Sequence, residues 1–180
     1  SPATNVSFFG ASVNLLLPPV APTGISLSNY SIDENADVGN TIGTFTSSSE
    51  SPDSFIYTLT TDSDKVTIDD TTLKNTIIFD YEVTPSFEIL VRSTNTNDSE
   101  LYIDQFLTIA VNDINEAPTN LTLSQNTVDE TANIGTEIGT FSTSDPDNAN
   151  TFTYTFTQDT DTFEIVGDKL TTKALLDYET

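Results

Sequence analysis
The 180-residue chain sets 28 Asp and Glu against five Lys and Arg, a formal net charge of −23, with no basic side chain before Lys65. Phosphate backbones and anionic membrane surfaces would be repelled, and cations attracted. With no Cys and no His there are no disulfides, thiolate metal sites or His general base, so only oxygen ligands for hard ions remain.

Residues 1–20 alternate loosely, Val6, Phe8, Val13, Leu15 and Leu17 around Gly10, which predicts a strand; Leu15-Leu16-Leu17 is cut short by Pro18-Pro19. That apolar run is far below the roughly 18 residues of a spanning helix, so membrane insertion is not expected. From residue 21 the apolar positions recur at period two, in Val, Ile, Thr, Phe and Tyr, between clusters of Ser, Asn, Asp, Gly and Pro. Strands are predicted near 24–28, 31–34, 41–46, 55–60, 66–69, 72–78, 86–93 and 101–112, the second a short continuation of the first, giving seven main strands. Such short, evenly punctuated strands suit an antiparallel sandwich.

The pattern then begins again. Ala21-Pro22-Thr23, Asp33-Glu34, Gly39, Gly43 and Phe45 return 96 residues later as Ala117-Pro118-Thr119, Asp129-Glu130, Gly135, Gly139 and Phe141. Asp80-Tyr81-Glu82 returns at an offset of 97 as Asp177-Tyr178-Glu179. The domains are therefore expected as an N-terminal segment 1–20, repeat one over 21–116 and repeat two over 117–180. Strands are predicted near 120–124, 127–130, 137–142, 152–157, 163–166 and 169–173, and the second copy lacks the last two strands of the first. A half-sandwich should not fold alone, so either the natural chain continues past 180 or another chain supplies strands by augmentation. Residues 1–20 could be the tail of an upstream domain, a segment packed on repeat one, or such a donor strand.

Sandwich domains in tandem meet end to end, which would turn the lower loops of repeat one toward the upper loops of repeat two across the linker 112–118. Seven carboxylates would converge there: Glu34, Asp80, Glu82, Asp113, Glu116, Asp145 and Asp147. Two like charges ~4 Å apart at an effective dielectric near 20 repel by about 4 kcal/mol, so this cluster needs cations. Calcium takes six to eight oxygens with tolerant geometry and can use linker carbonyls and Asn115, whereas magnesium demands a smaller octahedral shell.

In order and spacing, Glu34, Asp80-Tyr81-Glu82, the run from Asp113 to Pro118, and Asp145-Pro146-Asp147 resemble the calcium motifs of cadherin repeats. The resemblance covers about 21–180 and is nearest to the cadherin-like repeats of bacterial surface proteins. It implies an all-β chain of tandem Greek-key, immunoglobulin-like sandwiches, the second incomplete, in an extracellular, cell-surface protein. By resemblance Glu34, Asp80, Glu82 and Glu116 hold ions nearer repeat one, Asp145 and Asp147 hold the outermost, and Asp113 and Asn115 contribute from the linker. Two ions fit this set; a third would want an Asp from a strand that repeat two lacks. Where repeat two has Asp145-Pro146-Asp147, repeat one has Ser49-Glu50-Ser51, and Asn95 stands where an Asp is expected, so the upper site of repeat one is read as decayed. Glu50 and Asp53 lie out of register to compensate. Glu130, Asp177 and Glu179 keep a lower site in repeat two.

The expected function is mechanical: a calcium-stiffened spacer or adhesive segment of a large surface protein or fibre, whose partners are calcium and neighbouring repeats. A carbohydrate-binding module and a self-assembling filament subunit, binding a glycan or copies of itself, are the alternatives. Paired acids could serve a glycosidase, but nothing else suggests a cleft, and the chain is not read as an enzyme.

Overall fold
A computed structural model describes residues 3–8, 11–16, 18–61, 64–147, 151–158 and 160–179. Gly10 and Leu17 of the N-terminal alternation lie outside these. The chain divides into two compact units, Ser1–Ile114 and Asn115–Thr180. Unit 1 holds β1 (Ala3–Phe8), β2 (Ala11–Leu16), β3 (Gly24–Leu27), β4 (Ser31–Asp33), β5 (Thr41–Ser48), β6 (Phe55–Leu59), β7 (Val66–Asp69), β8 (Thr72–Asn75), β9 (Ser86–Asn95) and β10 (Tyr102–Asn112). Unit 2 holds β11 (Thr119–Leu123), β12 (Glu137–Ser144), β13 (Phe163–Val166) and β14 (Lys169–Thr172). Where one N-terminal strand was expected there are two, β1 and β2, paired antiparallel.

From β3 onward, unit 1 is a sandwich of two four-stranded sheets, β3-β5-β8-β7 and β4-β10-β9-β6. The alternation seen in the sequence is the burial pattern of the strands. Phe87, Ile89 and Val91 of β9 and Leu107, Ile109 and Val111 of β10 face Ile25, Leu27, Ile42, Phe45 and Leu73 of the opposing sheet, all within one buried cluster. Phe45 and Tyr57 stack at 5.1 Å between centroids and Phe79 and Phe87 at 4.9 Å. Gln105 ties the layers: its Nε2 donates to Ile25 O and its Oε1 accepts from Ile25 N–H, both at 2.9 Å. The segment 31–34 does not simply continue β3. β3 pairs with β5, whereas β4 changes sheet and runs parallel to β10, with Ile32 opposite Val111. A bend between them lets the chain serve both layers.

The recurring glycines have a steric reason. A Cβ on Gly43 would stand 2.7 Å from Leu27 Cγ and 2.8 Å from Asn29 O, and one on Gly139 would meet the counterpart residues Leu123 and Gln125. In both units the end of the neighbouring strand, β3 or β11, and the residues just after it cross this position too closely for a side chain.

Among the described residues, unit 2 repeats only one layer, β11-β12-β14-β13. Phe141 and Tyr154, counterparts of Phe45 and Tyr57, keep the same stacking at 5.1 Å. The strands expected at 127–130 and 152–157 are not formed; both segments are irregular. In unit 1 their counterparts β4 and β6 pair with β10 and β9, strands with no counterpart among the described residues of unit 2. Without a ladder to join, a strand-prone sequence gains too little to be ordered as one. The core is correspondingly thin: among the described residues of unit 2, only Ile138 is a buried hydrophobic side chain.

Candidate metal centre
In unit 1 the acids are organised by one buried carboxylate. Glu34 follows β4, and its own N–H donates to Asn112 O at the end of β10, so the parallel pairing sets it beside the departing chain. It is 3% exposed. Its Oε2 accepts the N–H of Tyr81 and its Oε1 the N–H of Ile114, both at 2.8 Å. Glu34 thereby fastens the Asp80-Tyr81-Glu82 turn to the start of the linker. That turn is self-closed, with Asp80 Oδ1 accepting from Val83 N–H at 3.0 Å and Asp80 O from Thr84 N–H at 2.8 Å. Ligand oxygens of Glu34, Asp80 and Glu82 lie within 4.8 Å of one another, and Asp113 has an oxygen within the same distance of Glu82.

The positive charge of this unit is committed elsewhere. Lys74 pairs with Asp69, holding that carboxyl below its usual range, and Arg92 pairs with Asp104, chiefly through hydrogen bonds that raise the pKa of the guanidinium and lower that of the carboxyl. Lys65 lies over the Phe87 ring. An all-oxygen, anionic set arranged around a buried, backbone-anchored carboxylate suits a hard divalent ion of irregular coordination, so the residues present fit calcium.

In unit 2 the remaining predicted ligands also meet. Asp147 Oδ2 accepts the N–H of Glu116 at 2.7 Å, Asp147 N–H donates to Asp145 Oδ1 at 3.0 Å, and Asn115 Nδ2 donates to Glu116 O at 2.9 Å. The eight predicted residues thus fall into two sets: Glu34, Asp80, Glu82 and Asp113 in unit 1, and Asn115, Glu116, Asp145 and Asp147 in unit 2. A third cluster repeats the first. Glu130, Asp177 and Glu179 have ligand oxygens within 4.8 Å of one another, and Glu130 Oε2 accepts from Tyr178 N–H at 3.0 Å, as Glu34 does from Tyr81.

One expectation is corrected. Asp53 is not out of register for contact with the segment before β3: its Oδ2 accepts the N–H of Val20 at 3.0 Å, while Asn95 Nδ2 donates to Val20 O at 2.8 Å. Val20 is the counterpart of Glu116 (116 − 20 = 96), so Asp53 does for Val20 what Asp147 does for Glu116. The turn over Ser49 to Asp53 absorbs the two-residue shift, closed by Ser51 N–H to Ser49 Oγ and Asp53 N–H to Ser51 O. Also unforeseen are the roles of the Tyr81 and Ile114 amides. Backbone donors leave no signal in side-chain identity.

No protein-family model matches the sequence, and no curated protein is significantly similar to it. Solved structures are. Human protocadherin-24 EC1-2 superposes with a TM-score of 0.68 at 15% identity, over 89% of this chain and 80% of that one. Extracellular cadherin domains 3–6 of protocadherin gamma B2 give 0.59 at 17% identity, over 87% of this chain. PcdhgB3 EC1-4 gives 0.59 at 19%, over 88%. The chain spans 40% and 42% of the length of these last two. At such identities the likeness is one of fold, and the fold is a cadherin-like β-sandwich.

Proposed function
We propose that the chain is a calcium-stiffened spacer segment of an extracellular surface protein, with Glu34, Asp80, Glu82 and Asp113, joined by Asn115, Glu116, Asp145 and Asp147, as the ligands of the inter-repeat ions. The observation that supports it most is Glu34: a carboxylate withdrawn from water, held by two backbone amides and facing two further acids. A side chain so placed adds negative charge where it is most costly, and a bound cation offsets that cost. Calcium would supply charge neutralisation and oxygen coordination. The chain would supply the aim of the carboxylates, through the Asp80 turn, the Glu34 bridge to Ile114 and the Asp147 hold on Glu116. Affinities near 10⁻⁴ to 10⁻³ M, as in extracellular modules, would fill such a site outside cells and empty it under chelation.

Small-angle scattering tests this. Calcium should narrow the distribution of inter-domain distances and a chelator should broaden it; Asp113→Ala should stay broad in calcium while unit 1 remains folded. Equal distributions with calcium and with chelator would sink the proposal. The glycan-binding reading has less behind it: one ring face of exposed Tyr102 is taken by the Arg92 guanidinium, 3.8 Å from its centroid. The surface protein would be a bacterial one, as the sequence resemblance implies.

A further inference from the structure
One cavity of unit 1 lies outside the acidic clusters. It opens beside the parallel pairing of β4 with β10 and holds about 290 Å³, with Ile32 and Ala36 as its apolar part. Around these stand Asn29, Ser31, Asp33, Asn40, Thr41 and Asn112, none of them in the calcium set. The walls are fixed from within the chain. Asn112 Nδ2 donates to Asp33 Oδ1 at 2.8 Å and to Ser31 Oγ at 3.4 Å, and Ser31 Oγ donates to Asn29 Oδ1 at 3.4 Å. Asn29 Nδ2 donates in turn to Ser31 O at 2.8 Å and Ile42 O at 3.1 Å. The loop 36–40 is held by Asn75, which is 1% exposed. Its Nδ2 donates to Ala36 O and Asp37 O, its N–H to Asn40 O, and its carbonyl accepts from Gly39 N–H. Groups fixed in advance lose little freedom when a ligand arrives. Left without a partner among the described residues are Asp33 Oδ2, Asn112 Oδ1, the Asn40 side-chain amide and the Thr41 hydroxyl.

We propose that this cavity binds one neutral sugar ring. Amides and hydroxyls donate and accept, as the hydroxyls of a sugar do, and the free Asp33 oxygen accepts only. The apolar part suits the C–H face of the ring. Charge narrows the class: a carboxylate in the wall and a net charge of −23 disfavour an anionic ligand. A hard cation finds one carboxylate here, against three whose oxygens converge at Glu34. The volume is at the low end of ligand cavities, roughly 300–1,000 Å³, which suits a single ring.

The repeat separates what the fold needs from what it does not. In unit 2 the same loop is held in the same way, by Thr172, the counterpart of Asn75 (172 − 75 = 97): its Oγ1 donates to Asn133 O at 2.8 Å and accepts Thr136 N–H at 3.0 Å. The polar set is not kept. Thr136 and Glu137 stand where unit 1 has Asn40 and Thr41, Glu137 is paired with Lys169, and Asp129, the counterpart of Asp33, is turned onto Thr131 N–H at 2.8 Å. The holding of the loop recurs as structure, and the free polar groups are particular to unit 1. The cavity makes no use of Tyr102, which lies ten residues from Asn112 (112 − 102 = 10), roughly 34 Å along β10. The inference is independent of the calcium reading.

Titration of the full chain, followed by amide NMR in calcium and in chelator, tests it. The probes are the methyl glycosides of glucose, galactose and mannose, N-acetylglucosamine, and glucuronate as the anionic control. At least one neutral sugar should shift amides within 29–42 and 110–113 with a Kd of about 1–10 mM, equally in both conditions. Glucuronate should bind at least about tenfold more weakly. Asp33→Asn keeps an acceptor for Asn112 and should weaken the neutral sugar about tenfold; Thr41→Val, at an exposed position, should weaken it about fivefold. Four results would overturn the proposal: no neutral sugar moving those amides up to about 50 mM, shifts centred on Tyr102 instead, glucuronate binding as well as the neutral sugars, or both variants binding like wild type. Binding that needs calcium would also overturn it, by assigning the contact to the metal.

Discussion

Glu34→Gln distinguishes a carboxylate kept for the fold from one kept for a metal. Gln preserves the shape and one acceptor oxygen, but turns an amide donor toward the Tyr81 or Ile114 N–H. Losing one charge-assisted bond and leaving a buried donor unmatched costs about 1–3 kcal/mol. Against this, the neutral side chain relieves repulsion from Asp80 and Glu82, whose oxygens lie within 4.8 Å. Each pair is worth about 3 kcal/mol at an effective dielectric near 20, reduced to about 1 kcal/mol because both partners are exposed and screened. In chelator the two effects nearly cancel, and the variant should unfold within about 1 kcal/mol of wild type. In calcium the balance changes. An ion bound with a Kd of about 10⁻⁴ M and present at about 2 mM stabilises the folded state by about 1.8 kcal/mol, and the variant forfeits most of that. Urea unfolding followed by far-ultraviolet circular dichroism, in calcium and in chelator, measures both differences. An equal cost in the two conditions would refute the reasoning and leave Glu34 a purely structural residue.

Other consequences are separable. Gly43→Ala should cost about 1–3 kcal/mol by overpacking, because its Cβ would press on Leu27 and on the backbone of Asn29; an unchanged melting temperature would show that the crossing relaxes. Asp53→Ala should raise hydrogen exchange at the Val20 amide about fivefold, the loss of about 1 kcal/mol, equally in calcium and in chelator; a calcium-dependent change would mean that Asp53 serves an ion. Asp104 has its carboxyl held below 3.8, first by hydrogen bonding to Arg92. A folded pKa below the unfolded one gives stability that is complete above the unfolded value and disappears as pH falls through the folded value. Wild type and Asp104→Asn should therefore differ by a constant amount down to about pH 4 and converge below it, as acid titration of their unfolding midpoints would show.

The sequence made unit 1 legible because each of its strands has a partner within the same stretch of chain: Phe87, Ile89 and Val91 alternate in the sequence and are buried alternately in β9. The same period-two signal misled at 152–157. Phe152, Tyr154 and Phe156 alternate as Phe55, Tyr57 and Leu59 do, but alternation reports what a strand could bury and is silent on whether a neighbouring strand is there to pair with it. Glu34, Asp80 and Glu82 were legible as acids recurring in register. What holds them was not, because it consists of backbone amides at Tyr81 and Ile114. Asp53 was misjudged for a related reason: register counted along the chain does not see a turn that shortens the path from Ser49.

The parallel pairing of β4 with β10 bears on how unit 1 would respond to stretching. It joins a strand near the beginning of the sandwich to the strand that ends it, Ile32 against Val111 and Asp33 against Asn112. Tension on the two ends would pull these strands in opposite directions along their common axis, so their slanted hydrogen bonds would be sheared together instead of unzipped singly. The Glu34 bridge to Ile114 lies at the end of that seam, where one further bond would have to break before the final strand could slide.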